Sequence, residues 1–151
     1  MAVLIINPKN NLPLQITEDR LMDDEGNYFP IINGVPRIAE MENYTESFGK
    51  QWNKFDKTQL DRETDGLNLT KNRFFAETHW DQEDLSGKDV LEVGSGAGRF
   101  SKVVLEYTKA ILFSVDYSDA VTANLKNNGK IAPDRFNLFQ ASVYEMPFPD
   151  N

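Results

Sequence analysis

Val90-Leu-Glu-Val-Gly-Ser-Gly-Ala-Gly-Arg-Phe100 decides how the rest of the chain is read. Residues 89–93 have a strand pattern, with apolar Val90, Leu91 and Val93 around the acid Glu92. Glycines then stand at every second position, Gly94, Gly96 and Gly98, and a helical pattern starts at once through Phe100, Val103, Val104 and Tyr107. Strand, glycine turn and helix together make a place where backbone lies close to a bound ligand. Glycine carries no side chain to block that approach and reaches positive φ without strain. The helix aims its free N–H groups and the positive end of its dipole at whatever occupies the turn.

Downstream, strands and helices go on alternating. Ala110-Ile-Leu-Phe-Ser-Val115 predicts a second strand ending at Asp116. Ser118 predicts the cap of a second helix that runs to about Asn127 and stops at Asn128-Gly129. Phe136-Asn-Leu-Phe-Gln-Ala141 predicts a third strand. Nearly continuous apolar strands with intervening helices imply an α/β fold with a parallel sheet covered on both faces.

Three ligand classes use such a turn. A phosphate-cradling loop needs G-x-x-x-x-G-K-[ST], and the lysine and hydroxyl residue are missing. A dinucleotide fingerprint needs its third glycine at position 99, where Arg99 stands; the third glycine comes one residue early, at Gly98. A half-domain of a nicotinamide-dependent oxidoreductase therefore stays as an alternative. An acid at the end of the second strand, Asp116, lies 18 residues after Gly98 and can accept hydrogen bonds from a ribose diol. Its blander reading is a helix cap.

The stretch from Val90 to Gly98 resembles motif I of the class I S-adenosylmethionine-dependent methyltransferases, h-h-[DE]-h-G-x-G-x-G, at every position. Asp116-Tyr-Ser118 is similar to motif II of that family. Phe139-Gln-Ala-Ser-Val-Tyr-Glu-Met-Pro-Phe-Pro-Asp150 is similar to the family's stretch after the third strand. The resemblance implies the N-terminal part of a Rossmann-like doubly wound parallel sheet and S-adenosyl-L-methionine as cofactor. It implies that Gly94, Ser95, Gly96 and Gly98 hold the methionine part and that Glu92 faces its amino group. Asp116 would take the ribose, Tyr117 would pack on the adenine, and Ser142 with the Val143 backbone would bind the adenine edge. Met146-Pro-Phe148 would turn the chain back toward the cofactor. Ser142 departs from the acid that the family often has there, which weakens charge assistance.

Residues 1–40 read as a small β-rich module with strand candidates Leu14-Gln-Ile-Thr17, Arg20-Leu-Met-Asp23, Tyr28-Phe-Pro-Ile-Ile32 and Val35-Pro-Arg-Ile38. Asn33-Gly34 predicts a hairpin turn. Pro30 and Pro36 lack a ladder donor and predict edge strands. The segment resembles zinc-ribbon-like modules that precede some methyltransferases. Asn7 and Asn10 stand at the two cysteine positions of that pattern, so no metal is expected.

Residues 41–85 read as a helical connecting segment. Phe48, Trp52 and Phe55 fall on one helical face, and Ser47-Phe-Gly-Lys-Gln-Trp-Asn53 resembles a segment that folds over the cofactor in some small-molecule methyltransferases. Residues 56–68 read as a loop, and Thr70 opens a further helix with Phe74, Phe75, Thr78 and Trp80 for burial. His79, the one histidine, reads as structural.

The chain has 151 residues, no cysteine and a net charge of −8. Disulfides and thiolate metal sites are excluded, which fits a cytoplasmic protein. The negative charge disfavours nucleic acid and favours a small-molecule acceptor. No apolar run is long enough for a membrane span. In the resembled family the sheet continues past residue 151, so residues 86–151 are expected to be the N-terminal half of a cofactor domain from a longer enzyme. The first strand is then an open apolar edge able to pair with another chain. A binding module that keeps the fold without catalysis is the other alternative. No catalytic base and no particular acceptor can be assigned.

Overall fold

The computed structural model describes residues 4–39, 68–81 and 84–150. The expected helix around Phe48, Trp52 and Phe55, its cofactor-covering role and the loop that follows lie outside the described residues. Two sheets are present. Strands β1 (Gln15–Ile16), β2 (Arg20–Met22), β3 (Tyr28–Ile32) and β4 (Val35–Pro36) form an antiparallel sheet in that order. Helix α1 (Leu69–Thr78) follows, then β5 (Asp89–Val93), α2 (Arg99–Tyr107), β6 (Ile111–Asp116), α3 (Ala120–Asn128) and β7 (Phe136–Gln140). The last three strands pair in parallel, in the order β5-β6-β7, as the strand–helix alternation implied. No described helix is long and apolar enough to cross a membrane.

Alternation along the strands assigns their faces. Val90, Leu112 and Ala110 join Phe74 of α1 and Val103, Val104 and Leu105 of α2 in one apolar cluster, while Leu138 meets Val121 of α3. The described helices therefore share one face. The other face is covered differently from the expected second helical layer. Phe113, Val115 and Phe139 pack on Leu14, Leu21 and Ile38 of the antiparallel sheet, and Phe148 sets its ring edge-on to Phe113 and Phe139 at 5.7 Å each. Among the described residues β5 has only β6 as a neighbour, and Leu91 and Val93 on this face are half exposed.

Several local expectations change. Pro30 lies on an interior strand, because β3 pairs with both β2 and β4. Its ring nitrogen faces β4, where the ladder has ended and Arg37 N–H donates to the Pro30 carbonyl, so no ladder donor is lost. Asn33 and Gly34, at φ 52° and 80°, make the expected hairpin turn. α3 starts one residue later than expected, at Ala120 with Asp119 as its cap residue, and the Ser118 hydroxyl accepts the Ala120 N–H at 3.3 Å. Trp80, expected in the core, is 44% exposed although its ring meets Phe74 edge-on. His79 ends α1 in a left-handed conformation, its N–H donating to the Phe75 carbonyl.

The turns of the antiparallel sheet converge on one carboxylate. Asn7, Asn10 and Asn27 donate side-chain N–H groups to Asp23 Oδ2 at 2.8, 2.9 and 3.0 Å. The Glu25 and Asn27 N–H groups donate to Asp23 Oδ1 at 3.1 and 2.9 Å. Asn7 Oδ1 and Asn10 Oδ1 accept from the Lys9 and Leu12 N–H groups, which fixes both amides with nitrogen inward. Asp23 is 3% exposed, so burial raises its pKa, but these donors outweigh burial and hold it well below 3.8. A depressed carboxyl pKa means that its stabilising contribution is complete above the ordinary value and fades as pH falls below it. Asp23→Ala is expected to open residues 4–39 to limited proteolysis at neutral pH. A chelator is expected to leave the melting temperature of the native chain unchanged; a drop would mean that a metal holds these turns.

Candidate functional site

The glycine turn joins β5 to α2 at the carboxyl ends of the parallel strands. Gly94, Gly96 and Gly98 all have positive φ, at 78°, 53° and 88°. They differ in what surrounds them. A Cβ placed on Gly94 or Gly96 would meet nothing within 4 Å. A Cβ on Gly98 would lie 2.1 Å from Asn124 Oδ1 and 2.2 Å from Asn128 Nδ2. The first two glycines thus open the turn to solvent, and the third lets α3 close on its back. Arg99, at the dinucleotide-fingerprint glycine position, begins α2 and sends its Nε–H to Thr70 Oγ1 at 3.1 Å, away from the turn.

Asp116 ends β6 across from the turn. Its Oδ2 accepts the Gly96 N–H at 2.7 Å, and its Oδ1 accepts the Ser118 N–H and hydroxyl at 2.8 and 2.7 Å. The Gly94 and Ser95 N–H groups donate to the Val115 carbonyl. Ser95 is 7% exposed, and its Oγ has no hydrogen-bond partner. An orphaned buried hydroxyl beside two open glycines fits a polar ligand laid along the turn.

Glu92 is turned inward from the end of β5. Its Oε2 accepts the hydroxyls of Ser101 and Ser114, both at 2.5 Å. Burial pushes the Glu92 carboxyl above its ordinary 4.5, and the two hydroxyls only partly offset this, with nearby Asp116 adding a small upward push.

The adenine-side candidates gather at the ends of β6 and β7. The Ala141 N–H donates to the Asp116 carbonyl, which brings Ser142 beside the turn. Ser142 Oγ accepts the Tyr144 N–H at 3.2 Å, and Val143 is 56% exposed. Half-buried Tyr117 gives its carbonyl to Gln140 Nε2 at 3.0 Å. Met146-Pro-Phe148 runs elsewhere than expected. The Pro147 carbonyl accepts the Ile6 N–H, and Phe148 enters the core between the sheets. A cavity of about 1100 Å3 lies between Tyr28, Ile32, Arg37 and Gln140 and includes none of the expected site residues.

Sequence reasoning missed the polar layer behind the turn: Ser101, Ser114, Asn124 and Asn128, each fully buried. Its one visible signal was a pair of asparagines, Asn124 and Asn128, four residues apart on a single helical face.

Two outcomes follow from this geometry. Gly96→Ala is expected to cost about 1–2 kcal/mol of backbone strain. Gly98→Ala adds overpacking of about 1–3 kcal/mol, a difference that urea unfolding resolves. Because the Glu92 pKa is raised on folding, native stability falls as pH rises from 4.5 through the raised value. Glu92→Gln should remove that component, so its stability relative to the native chain should grow across this window.

Comparison with known proteins agrees with the geometry. Residues 91–151 match the family described as "Methyltransferase domain". No curated protein matches the chain at a significant level. A Methanococcus maripaludis protein assigned as an S-adenosyl-L-methionine-dependent methyltransferase superposes with a TM-score of 0.53 at 19% identity, over 74% of this chain and 48% of its own. Phosphoethanolamine N-methyltransferase 1 of Haemonchus contortus, solved with phosphoethanolamine and S-adenosylhomocysteine, gives a TM-score of 0.39 at 21% identity, over 64% of this chain and 20% of its own. The chain thus spans less than half the length of either protein. Residues 91–151 thus match the methyltransferase-domain family model, and the Methanococcus maripaludis protein shares the fold.

Proposed function

We propose that this chain supplies the cofactor-binding side of a methyltransferase that acts on a small-molecule acceptor. The observation that carries the reading is the open face at Gly94 and Gly96 beside the orphaned Ser95 Oγ, in a segment that matches the family. When bound, the cofactor supplies an electrophilic methyl carbon on a positively charged sulfur. The chain's own residues bind and orient it. The turn at Gly94, Ser95 and Gly96 takes the methionine part, with Gly98 supporting it from behind, and the free N–H groups of α2 suit the carboxylate. Glu92 offers negative charge to the amino group. Asp116, with a lone pair left on Oδ2, accepts from the ribose hydroxyls. Tyr117 packs on the adenine, and the Ser142 hydroxyl and Val143 backbone meet its edge.

Residues 1–40 are read as an accessory module and residues 86–151 as the cofactor unit, with the acceptor held by the remainder of a longer cytoplasmic enzyme. The acidic surface supports a small molecule over nucleic acid.

Calorimetric titration with S-adenosylhomocysteine tests the assignment. Binding by the native chain and a loss of at least about tenfold in Asp116→Ala are expected, the latter from loss of charge-assisted hydrogen bonds. Equal affinity in the variant would remove Asp116 from the site, and NADH binding without S-adenosylhomocysteine binding would favour an oxidoreductase.

A further inference from the structure

We propose that Asn124 and Asn128 of α3 are positioning residues for the cofactor, holding the glycine turn and Glu92 in one arrangement without touching the ligand. The inference rests on the cofactor reading above. The hydrogen bonds run in one direction. Asn128 Nδ2 donates to Asn124 Oδ1 at 2.9 Å, Asn124 Nδ2 donates to Ser101 Oγ at 2.9 Å, and Ser101 Oγ donates to Glu92 Oε2 at 2.5 Å. Ser114 lies 3.1 Å from Ser101 and donates to the same carboxylate oxygen. Each donor polarises the next, and the chain ends on Glu92, the acid at the end of β5 just before the turn.

Asn128 and its neighbour Asn127 also grip the backbone of the turn. Asn128 Nδ2 also donates to the Gly98 carbonyl at 2.8 Å, and Asn127 Nδ2 donates to the Ala97 carbonyl at 3.0 Å. Peptide groups are planar and trans, so holding the Gly98 carbonyl toward α3 turns the Arg99 N–H the opposite way. Side-chain orientation is not arbitrary here. Flipping the Asn128 amide would aim its oxygen at two acceptors, and as it stands Asn128 Oδ1 is buried without a partner. A core built for stability alone would fill this space with apolar side chains, since buried polar groups cost free energy even when mostly paired. Four fully buried polar residues directly behind a ligand turn are better explained by what they orient.

The experiment measures S-adenosylhomocysteine affinity and urea unfolding on the full chain for Asn124→Leu, Asn128→Leu and Ser101→Ala. Affinity is expected to fall by about tenfold, as for loss of one well-placed buried hydrogen bond, while the unfolding midpoint is kept. Ser101→Ala removes only one oxygen, so it carries the test should the leucine variants fail to fold. It also gives a reading that mere destabilisation would not. With one donor to Glu92 gone, the acid limb of the affinity-against-pH profile should move to higher pH. Native-like affinity and an unmoved acid limb in folded Ser101→Ala would overturn the positioning role while leaving the cofactor reading intact. No binding by the native chain would overturn the cofactor reading and this inference with it.

Discussion

The missing side chain at Gly98 is the constraint on which the α/β unit depends. A Cβ there would occupy the space of two asparagine side-chain ends, so α3 can approach the turn only because position 98 is bare. That approach closes the polar layer on Glu92 and sets the distance between α2 and α3. It also divides the labour among glycines that look equivalent in sequence. Gly94 and Gly96 leave room on the open side of the turn, and Gly98 leaves room on the protein side.

How much of this was legible depends on how local the cause is. The three parallel strands, the glycine turn and the Asn33-Gly34 hairpin follow from short-range pattern, and all appear where expected. Asn128-Gly129 was legible as a helix end for a reason the structure revises. Gly129 sits at an ordinary helical φ of −60°, and glycine is needed because a Cβ would lie 2.6 Å from the Leu125 carbonyl. The spacing of Asn124 and Asn128 marks a shared helical face but not what that face meets, because the Asn124 partner Ser101 is 23 residues away. The family resemblance implied that the glycines bind ligand as a group; only the neighbours of each one separate Gly98 from the others.

Polar convergence recurs at the other end of the chain, around Asp23. There a buried carboxylate gathers amides from three turns, which lets a sheet of two- to five-residue strands hold its loops with little apolar core of its own. The resemblance marked Asn7 and Asn10 as lost metal ligands but could not show that both would point at Asp23. The apolar residues left over, Leu14, Leu21 and Ile38, are buried against the parallel sheet instead.

That shared core has a consequence for the order in which the chain can fold during synthesis. Ile6 is tied to Pro147, and Arg37, 8% exposed, reaches Gln140 across 103 residues while pairing with Asp119 at 2.8 Å. Residues 4–39 therefore lack their packing surface until residues 136–148 have been made. They must wait, with Leu14 and Leu21 exposed, and such late docking of sequence-distant segments raises contact order and slows folding.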